Sequence, residues 1–90
     1  MDHFNYRNGQ LYAEDVSVAE IAASVGTPFY VYSTATLVRH FQLFDEALDG
    51  MDHCICYAMK AASNQAILKT LGNLGAGMDV VSGGEYRRAL

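Results

Sequence analysis

His53-Cys54-Ile55-Cys56-Tyr57-Ala58-Met59-Lys60-Ala61-Ala62-Ser63-Asn64 is the stretch whose reading decides the fold. Cys54 to Met59 is an unbroken run of apolar or aromatic residues, free of glycine and proline. A run of this length bounded by turn signals reads as a strand covered on both faces. Lys60 stands at its carboxyl end, and Ser63 or Asn64 supplies a side-chain oxygen for the first free amides of a helix. Lysine is among the residues least often found inside. One that follows a buried run either snorkels its ammonium to water or does chemistry. Alternation puts Lys60, Ala58, Cys56 and Cys54 on one face of the strand, and Met59, Tyr57, Ile55 and His53 on the other. The lysine's face is lined by small side chains, which leave room beside its stem for a bound group. A primary amine in a low-dielectric cavity gives up its proton more readily and then attacks carbonyls at neutral pH. Both readings of the lysine stand at this point.

Outward from this stretch, the pattern alternates. Ile67, Leu68, Leu71 and Leu74 form the apolar stripe of a helix that Gly75 stops. Met78-Asp79-Val80-Val81-Ser82 is a second short strand, and Ser82-Gly83-Gly84-Glu85 is a capping box opening a further helix. Strand, helix, strand, helix predicts a right-handed crossover and a parallel sheet, an α/β fold. Lys60 and Ser82 then lie at strand carboxyl ends, where barrels of this type place their sites. Asp79 lies within the second strand, either satisfied by a nearby amide or set as a carboxylate beside Lys60.

Upstream, Asn8-Gly9 between two short aromatic-containing runs predicts a two-residue hairpin. Ser17-Val18-Ala19-Glu20 is another capping box, with Val18, Ile21, Ala22 and Val25 at helical spacing and Gly26 as the stop. Phe29-Tyr30-Val31-Tyr32 predicts a strand on β-branched and aromatic content. A helix starting at Thr34 or Thr36 carries Leu37, Phe41, Phe44 and Leu48 on one stripe and ends at Asp49-Gly50.

Composition bounds the function classes. Ninety residues with 51% hydrophobic content exclude disorder and fit one small domain or part of a larger one. A net charge of −4, with six basic residues in no cluster, argues against nucleic acid or an anionic membrane as partner. The amino terminus has no signal-peptide pattern, and no apolar stretch approaches spanning length. Cys54 and Cys56 share one strand face and cannot staple distant segments, so they read as small core residues in a reducing cytoplasm. The histidines at 3, 40 and 53 have no metal-ligand spacing. His40 reads as a solvated helix position. The glycines at 72, 75 and 77 precede a strand, the reverse of a dinucleotide fingerprint. Gly83-Gly84 reads as a helix-opening turn in preference to an anion nest.

Tyr57-Ala58-Met59-Lys60-Ala61, Ser63-Asn64 and Gly75-Ala76-Gly77-Met78-Asp79-Val80-Val81-Ser82-Gly83-Gly84-Glu85 together resemble the diaminopimelate decarboxylase family. The likeness runs from about Gly26 to Leu90. One departure is Ala62, where the family usually has Asn. The resemblance implies the amino-terminal part of a (β/α)8 TIM-type barrel of the alanine racemase-like group, incomplete in this chain. Residues 1–28 would be a segment that packs with an absent carboxyl-terminal β domain, and residues 29–90 the first helix–strand units of the barrel. It implies pyridoxal 5'-phosphate held as an imine on Lys60, with Ala58 and Asp79 as further cofactor-binding positions. The activity implied is decarboxylation of meso-2,6-diaminopimelate to L-lysine, the last step of lysine biosynthesis, in a cytoplasmic homodimer acting on a small amino acid. The alternatives are a sister decarboxylase of ornithine, arginine or carboxynorspermidine, a non-catalytic barrel that binds pyridoxal phosphate, and a plain α/β interaction module. The pyridine-nitrogen partner, the phosphate loop and the basic substrate-binding residues are not assignable in these 90 residues. The expectation for residues 1–90 alone is therefore no decarboxylation and poor cofactor retention. Assaying the purified chain beside a full-length parent checks this, and measurable turnover by the short chain overturns it.

Overall fold

The computed structural model describes residues 3–90 and mixes helices with strands. The chain divides into two compact units, Met1–Thr36 and Leu37–Leu90. The first unit opens with an antiparallel hairpin of β1 (Phe4–Arg7) and β2 (Gln10–Ala13), with Phe4 opposite Ala13 and Arg7 opposite Gln10. Asn8 and Gly9 both have positive φ, 52° and 80°. That is the requirement of the mirror-image turn whose twist matches a tight hairpin, and Asn-Gly meets it at least steric cost. A short β3 (Val16–Ser17) extends the sheet in the order β1-β2-β3. Ser17 then caps α1 (Val18–Val25) by accepting from the Glu20 N–H at 3.2 Å. Gly26, at φ 80°, closes the helix with its N–H on the Ala22 carbonyl.

The turn between β2 and β3 does more than reverse the chain. Glu14 sits there at φ 54°, and its carboxylate accepts from the Ser33 hydroxyl at 2.6 Å and the Ala35 N–H at 3.1 Å. Ser33 in turn accepts from the Thr36 N–H. The start of α2 (Thr34–Ala47) is thereby capped twice, once by its own neighbour and once by a carboxylate 21 residues before the Ala35 amide it accepts from. These two donors, the hydroxyl first, hold the Glu14 carboxyl below its ordinary range. Arg7 lies 4.7 Å from the Tyr12 ring centroid and donates to the Glu14 carbonyl and to Asp15. None of this was visible as a motif.

The second unit holds most of α2 and then a β-α-β unit followed by a helix. β4 (Cys56–Ala58) pairs in parallel with β5 (Gly77–Asp79), Cys56 opposite Gly77, Tyr57 opposite Met78 and Ala58 opposite Asp79. Between them runs α3 (Gln65–Asn73), N-capped by Asn64, whose side chain accepts from the Ala66 N–H at 2.8 Å. Gly75, at φ 103°, turns the chain into β5. The side chains buried in this unit are Met59, Ile67, Leu68 and Leu71, with Met59 wholly enclosed. Burial of the helix stripe follows the predicted spacing up to Leu71, while Leu74 is only half-buried. α4 (Gly83–Ala89) is capped by Ser82, which accepts from the Glu85 N–H, while Glu85 reaches back to the Val81 N–H at 2.9 Å.

Four expectations change. Phe29–Tyr32 is not a strand: a strand exists through its ladder, and among the described residues this segment has no partner. Tyr30 is 90% exposed. β4 and β5 are shorter than read, three residues each, because the parallel ladder extends only as far as both chains run side by side. The apolar run at 54–59 is also not covered on both faces, since Cys54 and Cys56 are exposed. The stripe of α2 likewise leaves Phe44 57% exposed.

His53 has a role that its sequence position hides. Its Nδ1 lies 2.8 Å from the Met51 carbonyl and its Nε2 lies 2.6 Å from the Asp45 carboxylate. Both partners only accept, so the form that satisfies both contacts is the imidazolium with two N–H donors. The Met51 carbonyl first, then Asp45, raises its pKa above the ordinary value. A raised folded-state pKa means the tether contributes fully below the unfolded value of about 6.5 and fades as pH climbs through the folded one. A proton NMR titration should place the His53 midpoint above that of the unfolded chain, and Asp45→Asn should lower it. An unchanged midpoint in that variant contradicts the tether.

Candidate functional site

The parallel ladder brings together the carboxyl ends of β4 and β5. Ala58 and Asp79 are register partners, and the Met59 N–H donates to the Asp79 carbonyl at 3.2 Å, one bond past the last strand residue. Immediately beyond, the Ala61 N–H donates to the Ala58 carbonyl at 3.1 Å, closing a four-residue turn whose central residues are Met59 and Lys60. Met59 points into the core with no exposure, so its turn partner is carried to the opposite side. Lys60 is exposed at the sheet's edge. The three positions singled out from sequence, Lys60, Ala58 and Asp79, thus lie at one end of one two-stranded sheet. Their backbones are adjacent. The ion pairs among the described residues are Arg7–Asp15 and His53–Asp45, so Lys60 and Asp79 are neighbours without being a salt bridge. Lys60 is open to solvent and not enclosed among small residues, because two strands provide a floor and no walls.

The loop that presents Lys60 is held from below. The Tyr57 hydroxyl donates to the Ala62 carbonyl at 2.8 Å, spanning the turn from strand to loop. Arg88 donates to the Ser63 carbonyl at 3.3 Å, and Gln65 donates back to the Arg88 carbonyl at 2.9 Å, so α4 is clipped to the start of α3. Asn64 caps α3 directly after. Every residue from Ala61 to Gln65 therefore lies within one position of a named hydrogen bond. Sequence reading found the cap but missed Tyr57, whose alternation put it simply on the other face of the strand. A polar hydroxyl on an aromatic residue two positions before a loop was the available signal.

Ser82 does what its capping box predicted, and Gly83 and Gly84 begin α4 without any further contact that marks an anion site. Among the described residues there is no cluster of three or more His, Cys, Asp or Glu side chains able to hold a metal ion. No helix among them is long and apolar enough to cross a membrane.

Comparison with known proteins gives the site a context. Residues 34–90 match the family model of the pyridoxal-dependent decarboxylase, pyridoxal binding domain. Over the whole chain the sequence is 52% identical to diaminopimelate decarboxylase of Pseudomonas fluorescens and 54% identical to that of Vibrio cholerae, covering 22% of each. The chain spans about a fifth of the length of the curated relatives it matches. Among solved structures, a protein of Aquifex aeolicus superimposes with a TM-score of 0.90 at 46% identity, over 97% of this chain and 21% of that one. A diaminopimelate decarboxylase of M. jannaschii in complex with L-lysine superimposes with a TM-score of 0.81 at 33% identity, over 96% and 21%.

Tyr57→Phe removes one part-buried hydrogen bond and should cost about 1 kcal/mol of stability by urea denaturation. It should also speed amide exchange selectively at residues 60–64. Uniform exchange changes across the unit would refute a local tether.

Proposed function

The chain belongs to the pyridoxal-dependent decarboxylase family, and we propose that it serves a protein that decarboxylates meso-2,6-diaminopimelate to L-lysine. The observation that carries this reading is the placement of a lysine amine and an aspartate on adjacent carboxyl ends of parallel strands, in a sequence about half identical to diaminopimelate decarboxylases. The helix–strand units from residue 29 onward are then the opening of a (β/α)8 barrel. Residues 1–28 then form the segment that packs with a carboxyl-terminal β domain. The whole protein works as a cytoplasmic homodimer on a small amino-acid substrate.

The residues present fit pyridoxal phosphate in the respects they bear on. Lys60 offers an exposed primary amine at a sheet edge, the group needed to hold an aldehyde covalently. Ala58, the small register partner of Asp79, leaves space beside it. Bound pyridoxal phosphate supplies an electron sink for the pair left when carbon dioxide departs. Lys60 would hold the group covalently through Nζ and would take up and return a proton at that atom. Asp79 places a carboxylate at the neighbouring strand end, where it offers a second proton acceptor. The hydroxyl of Tyr57, on the Ala62 carbonyl, would keep the loop behind Lys60 in place. Asn64 and Ser63 stand where the loop enters α3, and they fix the backbone that Asn at position 62 would otherwise help to anchor.

Borohydride reduction of the full-length protein with added pyridoxal phosphate, followed by peptide mass mapping, should place the pyridoxyl mass on Lys60. Lys60→Ala should abolish turnover, and Asp79→Asn should lower it by about 10²-fold. A pyridoxyl group on Lys69, or on no lysine, sinks this assignment.

A further inference from the structure

Lys60 begins a loop that no ladder supports. Beyond the Met59 N–H, residues 61–64 run to the start of α3 without a strand partner among the described residues. Side chains of two different elements hold their backbone instead. The Tyr57 hydroxyl of β4 donates to the Ala62 carbonyl at 2.8 Å, and the Arg88 guanidinium of α4 donates to the next carbonyl, that of Ser63, at 3.3 Å. Gln65 returns the contact by donating to the Arg88 carbonyl at 2.9 Å. Arg88 is thus fixed twice, its backbone by Gln65 and its side chain on Ser63. α4 follows directly from β5, whose last residue is Asp79. The clip therefore joins the segment after Asp79 to the segment after Lys60, two stretches of one compact unit. Its bonds are made between neighbouring elements and call for no free surface.

We infer that Arg88 is a positioning residue for Lys60, acting through the Ser63 carbonyl, an inference that rests on Lys60 being the covalent anchor. Tyr57 alone gives the loop one tether, about which residues 61–64 can still swing. A second tether on the adjacent carbonyl, from a different element, removes that freedom. The amine sits at the end of a four-carbon stem, so a small backbone rotation moves it far. Displacement of a reacting group by about 1 Å can cost about 10²-fold in rate. An arginine suits the task because its charge strengthens a bond to a neutral carbonyl, and it stays protonated at any working pH. The contact uses Nη1 on a single carbonyl oxygen and not the two-pronged fork. A lysine at this position can therefore stand in for part of it, whereas a methionine keeps only the stem. Tyr57 and Arg88 act on neighbouring carbonyls of one loop, so their losses do not add: once either tether is gone, removing the other changes little.

Full-length protein with added pyridoxal phosphate, trapped by borohydride at timed intervals and mapped by peptide mass, tests this beside steady-state kinetics. Arg88→Met should slow pyridoxyl incorporation at Lys60 and lower kcat, each about tenfold, the worth of one hydrogen bond from a charged donor, with KM little changed. Arg88→Lys should recover most of both. Tyr57→Phe combined with Arg88→Met should fall little below the worse single variant. Gln65→Ala frees only the Arg88 backbone and should act in the same direction by about threefold, which keeps the test open if Arg88→Met does not fold. Wild type that carries no pyridoxyl mass on Lys60 removes the anchor reading and this inference with it. Wild type labelled on Lys60, with Arg88→Met and Gln65→Ala labelled as fast, removes this inference alone. Strictly multiplicative losses in the double variant, or no recovery in a folded Arg88→Lys, also overturn it.

Discussion

The second unit depends on a single set of backbone hydrogen bonds, the parallel ladder between Cys56–Ala58 and Gly77–Asp79. Twenty residues separate partners such as Tyr57 and Met78, so the pairing must offset the entropy of closing a long loop before it contributes anything. α3 supplies the means, by filling that loop with local hydrogen bonds and by burying Ile67, Leu68 and Leu71. Met59, the residue that leaves the ladder, is the most completely enclosed side chain of the chain's core. Strand exit, core closure and presentation of Lys60 are thus one event. A register slip of one residue would exchange the faces of Met59 and Lys60, burying an ammonium and exposing a thioether.

The same ladder explains why small residues cluster here. Parallel strands carry side chains from opposite partners into contact, and Gly77 opposite Cys56 removes the contact altogether. That space is where the sulfurs of Cys54 and Cys56 meet, 3.8 Å apart. Cys54, Cys56 and Lys60 are all exposed in this sheet.

The first unit has a different constraint. Glu14 occupies a left-handed backbone conformation, which costs a non-glycine residue on the order of 1 kcal/mol. Its carboxylate recovers that cost by satisfying Ser33 and a free amide of α2. Two capping arrangements at the same helix start, from Ser33 and from Glu14, set where α2 begins more sharply than propensity alone. A cation over Tyr12 and an ion pair to Asp15 hold Arg7 across the same turn.

Local chemistry by itself determined a great deal. The Asn8-Gly9 turn, the capping boxes at Ser17 and Ser82, the stops at Gly26 and Gly75, and the stripe of α3 each follow from interactions within a few residues, which a sequence displays directly. The strand–helix–strand order and the family likeness followed from the same local signals. Only the folded chain decided the rest. Whether Phe29–Tyr32 joins a ladder, how far β4 extends and which side chains remain exposed depend on partners distant in sequence, and alternation cannot report whether a face is covered. The Tyr57 and Ala62 bond, the Glu14 cap, the His53 bridge to Asp45 and the sulfur pair beneath Gly77 are all meetings of residues whose types allow many partners. Geometry in three dimensions chooses one.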